Sequence, residues 1–358
     1  MSKDQLLDKF TGCIIGGAAG DALGYAVEFI SMDRIRTVFG SHGIRAYVPD
    51  PARGVAVFSD DTQMTLFTAA GVSTAAAKDQ LTVEGIASAC GREYQDWLHT
   101  QDPGFKRNPG ESWLLDIPEL HVRRAPGCTC MSALEGQLGS TTRLVNNSKG
   151  CGGVMRVAPV GLISPSRTGL AAAEHQALLV QAAAECAALT HGHPLGFISA
   201  GAFAYIVHRC AYEVPADCVD RRESLRAIIN DCCDQLPDWF PQHPEHAAYQ
   251  VELLQRACTL ADDRSRRANK IAQLGEGWVG EEALAIAVYA ALKHVNSFAD
   301  AICTAVNHSG DSDSTGSICG NILGAMLGSG RIGSKWTADL ELVDVLTRAA
   351  TDLHSAVS

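Results

Sequence analysis

The chain has 358 residues, of which 46% are apolar and 19% are charged, so it can fill a sizeable core and is unlike a disordered chain. Its 29 basic and 40 acidic residues give a net charge of −11, which disfavours binding to phosphate backbones and anionic membranes. We find no run of about 20 uncharged apolar residues that would span a bilayer. The composition therefore excludes nucleic-acid and membrane proteins as first interpretations.

Thirteen cysteines are scattered along the chain, and none forms a Cys-x-x-Cys pair. This spacing argues against a zinc ribbon and against a thioredoxin-type motif. The opening segment, residues 1–10, is amphipathic and acidic where a secretory signal would be apolar. We therefore expect reduced, mostly buried thiols in a cytoplasmic protein.

Helical periodicity dominates the chain from its first residues to its last. No shift in composition marks a linker, and the best strand signal, residues 54–58, is short. The sequence thus predicts one all-α domain over residues 1–358, with long non-helical stretches at 100–130 and 140–168. The predicted helices are 4–24, 62–78, 81–99, 169–190, 195–212, 221–234, 244–260, 281–294, 297–307, 315–328 and 338–354.

Two of these helices carry a glycine at every fourth position. Inside a helix, glycine costs about 1 kcal/mol relative to alanine, so a repeated stripe requires a structural reason. Residues four apart share one helix face, and a glycine face lets two backbones approach closely. We predict that the two stripes lie in the core, against one another. They consist of Gly12, Gly16, Gly20 and Gly24 in the first helix, and of Gly316, Gly320, Gly324 and Gly328 in the second.

Carboxylates gather where two apolar helices begin, at Asp60 and Asp61 and at Asp311 and Asp313. Helix capping is one interpretation, with Asp60 as the cap residue of a capping box. A cap needs a single residue, however, and adjacent carboxylates repel unless a cation compensates them. Oxygen ligands without His or Cys favour Mg²⁺ or Mn²⁺. The spacing alone leaves capping and metal binding open.

An EF-hand is a rival interpretation of the second cluster, since Asp311 and Asp313 fit its first and third positions. Its twelfth position must be a bidentate Glu, and Ile322 stands there. The calcium interpretation therefore fails.

Six motifs, taken in order, resemble the ADP-ribosylglycohydrolase family, which includes dinitrogenase reductase-activating glycohydrolase and the ADP-ribosyl-acceptor hydrolases. The resemblance covers residues from about 10 to 330, which is most of the chain. The motifs are GDALG at 20–24 followed by Glu28, FSDDTQ at 58–63, GCGGVMR at 150–156, LTHGHP at 189–194, GEGW at 275–278 and GDSDS at 310–314.

The resemblance implies a compact all-α fold with two Mg²⁺ or Mn²⁺ ions and removal of ADP-ribose from modified proteins. It places Glu28 near the scissile bond and makes Asp21 a residue that positions a helix. Glu28, Asp60 and Asp61 are then the predicted catalytic carboxylates. The predicted metal ligands are Ser59, Asp60, Asp61, Asp311, Asp313 and Ser314.

The remaining motifs acquire a role only through the resemblance. The segment 148–153 is otherwise an ordinary turn, since it fits neither a Walker A nor a Rossmann motif. His191 is otherwise a structural histidine, and Trp278 a core residue. The predicted substrate-binding residues are Ser148, Lys149, Gly150, Gly152, Gly153, His191 and Trp278.

The family comparison also reveals one departure. Some members carry an acidic residue before a Gly-x-Thr segment, proposed to meet the target side chain, whereas residues 124–129 (RAPGCT) contain no carboxylate. The motifs therefore predict the reaction, whereas they leave the target side chain open.

We expect metal-assisted hydrolysis at C1 of the distal ribose, with the ADP-ribose attached to arginine through an N-glycosidic bond. A serine or other O-linked acceptor is the alternative within the same enzyme class. A second alternative is an immunity protein that docks on an ADP-ribosyltransferase toxin through residues 1–10. A cognate transferase is then the expected partner. A non-catalytic crystallin is disfavoured by the intact metal motifs, and a serine hydrolase by the missing Gly-x-Ser-x-Gly.

Overall fold

The structure is a computed structural model that describes residues 2–102, 104, 110–215, 217–263, 265 and 270–358. Its described residues form α-helices joined by turns and short 3₁₀ segments. The helices are α1 Lys3–Tyr25, α2 Met32–Phe39, α3 Asp60–Ala77, α4 Val83–Gln101, α5 Cys128–Glu135, α6 Ala158–Gly161, α7 Pro165–Thr168, α8 Ala172–Ala188, α9 Pro194–Glu213, α10 Arg221–Trp239, α11 Pro244–Asp262, α12 Gly280–Lys293, α13 Phe298–Val306, α14 Ser312–Leu327 and α15 Val343–Val357.

The all-α prediction is confirmed. Each predicted helix is present, with ends shifted by up to five residues. The additional helices α2, α5, α6 and α7 are short, and eight residues or fewer give too few periods to read from a sequence. Residues 54–58 do not form a strand; within the described part of the chain, Ala56 makes an isolated β-bridge with Leu340.

The two glycine stripes face each other, as predicted. α1 and α14 run antiparallel, so that Gly12 lies opposite Gly324 and Gly16 lies opposite Gly320. A Cβ added to either Gly12 or Gly16 would lie 2.5 Å from the carbonyl oxygen of its partner. Nothing larger than a hydrogen fits there, which is the physical reason for both stripes.

This helix pair lies in the protein core. Every residue of α14 is buried, as is almost all of α1 from Lys9 to Gly24. The buried apolar side chains of the described residues form a cluster that runs from Phe10 to Val357. The packing around this buried helix pair therefore fixes the positions of the residues at its ends.

The cysteines follow the predicted pattern. All thirteen are free thiols, and most are buried. In the part of the chain that the structure describes, no helix combines the length and apolar character needed to cross a membrane.

Candidate metal centre

The candidate site lies where three helices meet at their ends. α1 ends at Tyr25, whereas α3 begins at Asp60 and α14 begins at Ser312. The last turn of α1 is against the first turn of α14, because a Cβ on Gly24 would collide with the Ser312 carbonyl. Carboxylates that are far apart in the sequence are thereby brought into one place.

Asp21 fastens α3 to α1. Its buried carboxylate accepts hydrogen bonds from the backbone N–H groups of Ser59, at 2.9 Å, and Thr62, at 3.0 Å. The Thr62 hydroxyl donates a third, at 2.5 Å. A carboxylate at a helix N-terminus is favourable because the free N–H groups point toward it. Asp21 thus sets the position of the first turn of α3.

Five carboxylates line one cavity of about 300 Å³ at these helix ends. Carboxylate oxygens of Glu28, Asp311 and Asp313 lie within 4.8 Å of one another. Asp60 and Asp61, from the start of α3, line the same cavity. The fold therefore gathers acidic residues from three separate segments.

Two of these carboxylates have one oxygen atom without a hydrogen-bond partner among the described residues. Asp61 is 2% exposed, and its Oδ2 accepts no hydrogen bond among the described residues; the same is true of Oε2 of Glu28. The Oδ2 atom of Asp60, by contrast, accepts a bond from the Gly127 N–H at 3.2 Å. A buried unpaired carboxylate oxygen is costly, and a cation would remove that cost.

The electrostatics of the cluster lead to the same conclusion. Burial raises the pKa of Asp60, Asp61 and Asp311 well above that of an ordinary aspartate, and the neighbouring charge of Asp313 raises it further. Burial, followed by Asp313 and Asp311, raises the pKa of Glu28 to about 11. Without a counter-charge these groups hold protons, whereas a divalent cation would favour their ionised forms. The oxygen donors fit Mg²⁺ or Mn²⁺.

The two serines of the predicted ligand set lie in different surroundings. Ser314 lines the cavity, and its backbone N–H donates to Asp313 Oδ1 at 3.0 Å. Ser59 is buried and caps α3 by accepting a hydrogen bond from the Asp61 N–H at 3.2 Å. The cap of α3 is therefore Ser59 and not Asp60, so the predicted capping box is wrong. Gln63 instead accepts a bond from the Trp97 indole at 3.1 Å.

The glycine-rich segment 148–153 reaches the cavity with part of its length. Gly150 and Gly152 line it. The N–H of Gly150 already donates to the Ser148 hydroxyl at 3.3 Å. Lys149 forms an ion pair with Glu281, and a Cβ on Gly153 would meet Ala187. Ser148, Lys149 and Gly153 thus lie beside the cavity lining, and a substrate role for them stays a prediction.

His191 and Trp278 both line the cavity. His191 is buried and is hydrogen-bonded through Nδ1 to Thr190 Oγ1 at 2.8 Å. Burial, reinforced by the nearby Arg156 charge, lowers the pKa of His191 to about 3, so its ring is neutral at physiological pH. Trp278 stacks on Phe29, with ring centroids 5.3 Å apart. The stacked rings of Phe29 and Trp278 both line the cavity.

Several residues that line the cavity were not predicted from the sequence. Phe29 follows Glu28 directly and is 68% exposed, with a positive φ of 63° that a bulky residue rarely adopts. Cys151, within the GCGGVMR motif at 150–156, also lines the cavity. The segment 125–129, which lacks a carboxylate, forms another part of the wall and includes Cys128. An aromatic residue directly after Glu28 was the available signal for the first of these, although an aromatic residue is common in a core.

Three comparisons connect this chain to known proteins. The model of the ADP-ribosylglycohydrolase family matches residues 2–358. ADP-ribosylhydrolase ARH3 of Mus musculus is 24% identical, over 99% of this chain and 93% of the relative. ADP-ribosyl-[dinitrogen reductase] glycohydrolase of Rhodospirillum rubrum is 25% identical, over 96% of this chain and 93% of the relative.

A solved structure shows the same fold. It is described as an ADP-ribosylglycohydrolase-related protein complex, and it superposes with a TM-score of 0.59 over 99% of this chain and 100% of the other, at 18% identity. The resemblance inferred from six motifs is confirmed, because the family model spans nearly the whole chain. The chain therefore belongs to the ADP-ribosylglycohydrolase family of hydrolases.

Proposed function

We propose that the protein is a metal-dependent ADP-ribosyl-acceptor hydrolase that removes ADP-ribose from modified protein side chains, with ADP-ribosylarginine as its substrate. One observation carries this proposal: five carboxylates line one cavity, and the buried Oδ2 of Asp61 has no partner among the described residues. A divalent cation would compensate the charge of such a cluster. The names of the two relatives supply the reaction class.

The proposed cofactor is a pair of Mg²⁺ or Mn²⁺ ions. When bound, they would neutralise the cluster, orient the ribose hydroxyls and polarise the sugar. The residues that would hold them are Ser59, Asp60, Asp61, Asp311, Asp313 and Ser314.

In the proposed reaction, water adds to C1 of the distal ribose and the bond from C1 to the acceptor nitrogen breaks. Water loses one proton, and the leaving nitrogen gains one. Glu28 is the preferred group to take the proton from water, because it lines the cavity and its Oε2 has no hydrogen-bond partner among the described residues. Asp61 is the second choice. Their negative charge also stabilises the positive charge that develops at C1.

The remaining cavity residues would orient the substrate. Gly150 and Gly152 leave room for the diphosphate, because neither has a side chain. His191 is neutral, so it would offer a hydrogen bond without adding charge. Trp278 and Phe29 present aromatic faces on which a planar group would pack.

The second part of the proposal is the bond that joins ADP-ribose to its acceptor side chain. The wall formed by residues 125–129 offers no carboxylate to a guanidinium group, which favours a serine or other O-linked acceptor as the second candidate. The relatives reported above are named as hydrolases, and they give the toxin-binding alternative no support. The free thiols are consistent with the cytoplasmic location that we propose.

The test is an assay of ADP-ribose release from ADP-ribosylated arginine and serine peptides, in Mg²⁺, in Mn²⁺ and in EDTA. We expect release that EDTA abolishes and that is faster from the arginine peptide. Asp60→Ala and Asp313→Ala should lower the rate by about 10²-fold or more while the proteins stay folded. Asp33→Ala, at a side chain that is 96% exposed on α2, is the matched control. Full activity in EDTA, or in both cavity variants, would contradict the mechanism.

A further inference from the structure

A buried glutamate outside all six motifs reaches the segment that leads into α3. Glu341 lies shortly before α15, and its Oε1 atom accepts a hydrogen bond from the backbone N–H of Phe58 at 2.9 Å. Its own backbone N–H donates to the Ala56 carbonyl at 3.0 Å. The C-terminal part of the chain therefore holds the residues directly before the proposed ligands at the start of α3.

Arg124 joins Glu341 to the wall of the cavity. Its buried guanidinium pairs with both carboxylate oxygens of Glu341, and the distance from Nη2 to Oε2 is 3.0 Å. The Nη1 atom also donates to the Phe58 carbonyl at 2.9 Å. A guanidinium that is bound at both oxygens of a carboxylate has one fixed orientation. The position of Arg124 is therefore set from Glu341 and from Phe58 together.

The backbone segment that begins at Arg124 is bonded to Asp60 at two points. The Asp60 N–H donates to the Arg124 carbonyl at 3.1 Å, and the Gly127 N–H donates to Asp60 Oδ2 at 3.2 Å. Between these two bonds, Ala125 has a φ of 53°, in the left-handed region that a residue with a Cβ rarely adopts. Such a backbone persists only where its surroundings hold it in place. The ion pair of Arg124 with Glu341 anchors this turn at its first residue.

Building on the proposed metal centre, we infer that Glu341 and Arg124 are positioning residues, whose ion pair holds the Asp60 carboxylate in the orientation that binds a divalent cation. Neither residue lines the cavity, so both act through the backbone of Phe58 and of residues 124–127. Groups that orient a metal ligand from behind commonly change metal affinity by about tenfold to a hundredfold. The segment 124–129, which offers no carboxylate to a target, thus acquires a role in the metal site.

A buried charge elsewhere in the fold provides the matched control. Removing one partner of any buried ion pair destabilises a protein, so a loss of stability alone would not identify a positioning role. Lys9 of α1 is buried, and its Nζ donates to the α9 carbonyls of Cys210, at 3.1 Å, and Ala211, at 3.0 Å. None of these three residues lines the cavity. Lys9→Met should therefore lower stability and leave the metal centre unchanged.

The experiment compares the wild-type protein with Glu341→Gln, Arg124→Lys and Lys9→Met. Glutamine replaces one acceptor oxygen by a donor, and lysine lacks the forked donor of arginine. By calorimetry with Mn²⁺, we expect the affinity to fall by about tenfold or more in the first two variants and by less than about twofold in Lys9→Met. Amide hydrogen exchange in the metal-free protein should become faster over residues 56–61 and 124–130 in the first two variants only. Circular dichroism verifies that each variant is folded.

The possible results separate this inference from the proposed function. Unchanged Mn²⁺ affinity in folded Glu341→Gln and Arg124→Lys would overturn the positioning role, whereas hydrolysis by the wild-type protein would still support the hydrolase. An equal loss of affinity in Lys9→Met would also overturn it, because the effect would then follow stability alone. Weaker Mn²⁺ binding in the first two variants alone, without hydrolysis of either peptide by the wild-type protein, would support the positioning role and count against the function.

Discussion

The same pair of helices, α1 and α14, builds two regions of opposite character. In its middle, Gly16 and Gly320 bring two backbones into contact, and everything that the contact requires is present in the chain. At its end, where the first turn of α3 joins the pair, Asp61 of α3 and Glu28 after α1 each have an oxygen without a hydrogen-bond partner among the described residues. The first region is complete as folded, whereas the second lacks positive charge. The buried carboxylates without a counter-charge are therefore a better guide to function than the fully packed glycine contact.

The largest expected effect tests the completeness of the glycine contact. Gly16→Leu should lower the free energy of unfolding by about 3 kcal/mol or more, because its side chain would displace the backbone of α14. Thermal or urea unfolding measures the change. Gly330→Ala, where a Cβ would meet nothing within 4 Å, should change it by about 0.5 kcal/mol or less. Equal stability of both variants would show that the helices do not touch there.

The next effect compares two buried aspartates. Asp21→Ala leaves two N–H groups and one hydroxyl without their acceptor, so unfolding should become easier by about 2–4 kcal/mol. Chemical denaturation in EDTA measures this loss. Asp61→Asn replaces a buried carboxyl group, whose ionisation the metal-free cavity opposes, by a neutral amide and should instead stabilise the metal-free protein by about 1–2 kcal/mol. Loss of stability in both variants would mean that the Asp61 carboxylate, like that of Asp21, makes stabilising interactions in the folded protein.

A bound divalent cation should supply the positive charge that the carboxylate cavity lacks and so stabilise the protein. Mg²⁺ or Mn²⁺ at about 100 times its Kd should stabilise the wild-type protein by about 2.7 kcal/mol. We expect a much smaller increase in Asp313→Asn, because it removes a ligand that lies within 4.8 Å of two others. Differential scanning calorimetry with and without the ion makes the measurement. An increase of equal size in Asp313→Asn would place the cation elsewhere.

The smallest effect concerns a buried carboxyl away from the cavity. Burial raises the pKa of Glu93 from 4.5 to about 7. The folded state therefore holds this proton more tightly than the unfolded state, so stability falls as pH rises from about 4.5 through 7. Glu93→Gln should remove this slope and add about 1–2 kcal/mol at pH 8.

Unfolding at pH 5 and pH 8 measures the slope, and Glu84→Gln, at an exposed glutamate in the first turn of α4, is its control. An unchanged slope in Glu93→Gln would show that Glu93 is compensated in the folded protein.

Much of the fold could be predicted from the sequence because its helices are long and strongly periodic. The facing of Gly16 and Gly320 was predictable because only a close approach explains a glycine at every fourth position. Short helices such as α2, Met32–Phe39, escaped prediction because one or two turns carry little periodic signal. The cap of α3 was misassigned because Ser59 and Asp60 are both good capping residues, and only the backbone geometry decides between them.

The sequence by itself determined the helical class, the glycine contact and the residue types that a hard cation requires, since these follow from periodicity, side-chain size and charge. Only the tertiary structure decided which of those residues meet. It brought Glu28, Asp60 and Asp311 to one cavity and directed Ser59 to a helix cap. The reason is physical: these groups lie in segments far apart along the chain, and their distances depend on how α1, α3 and α14 pack at their ends.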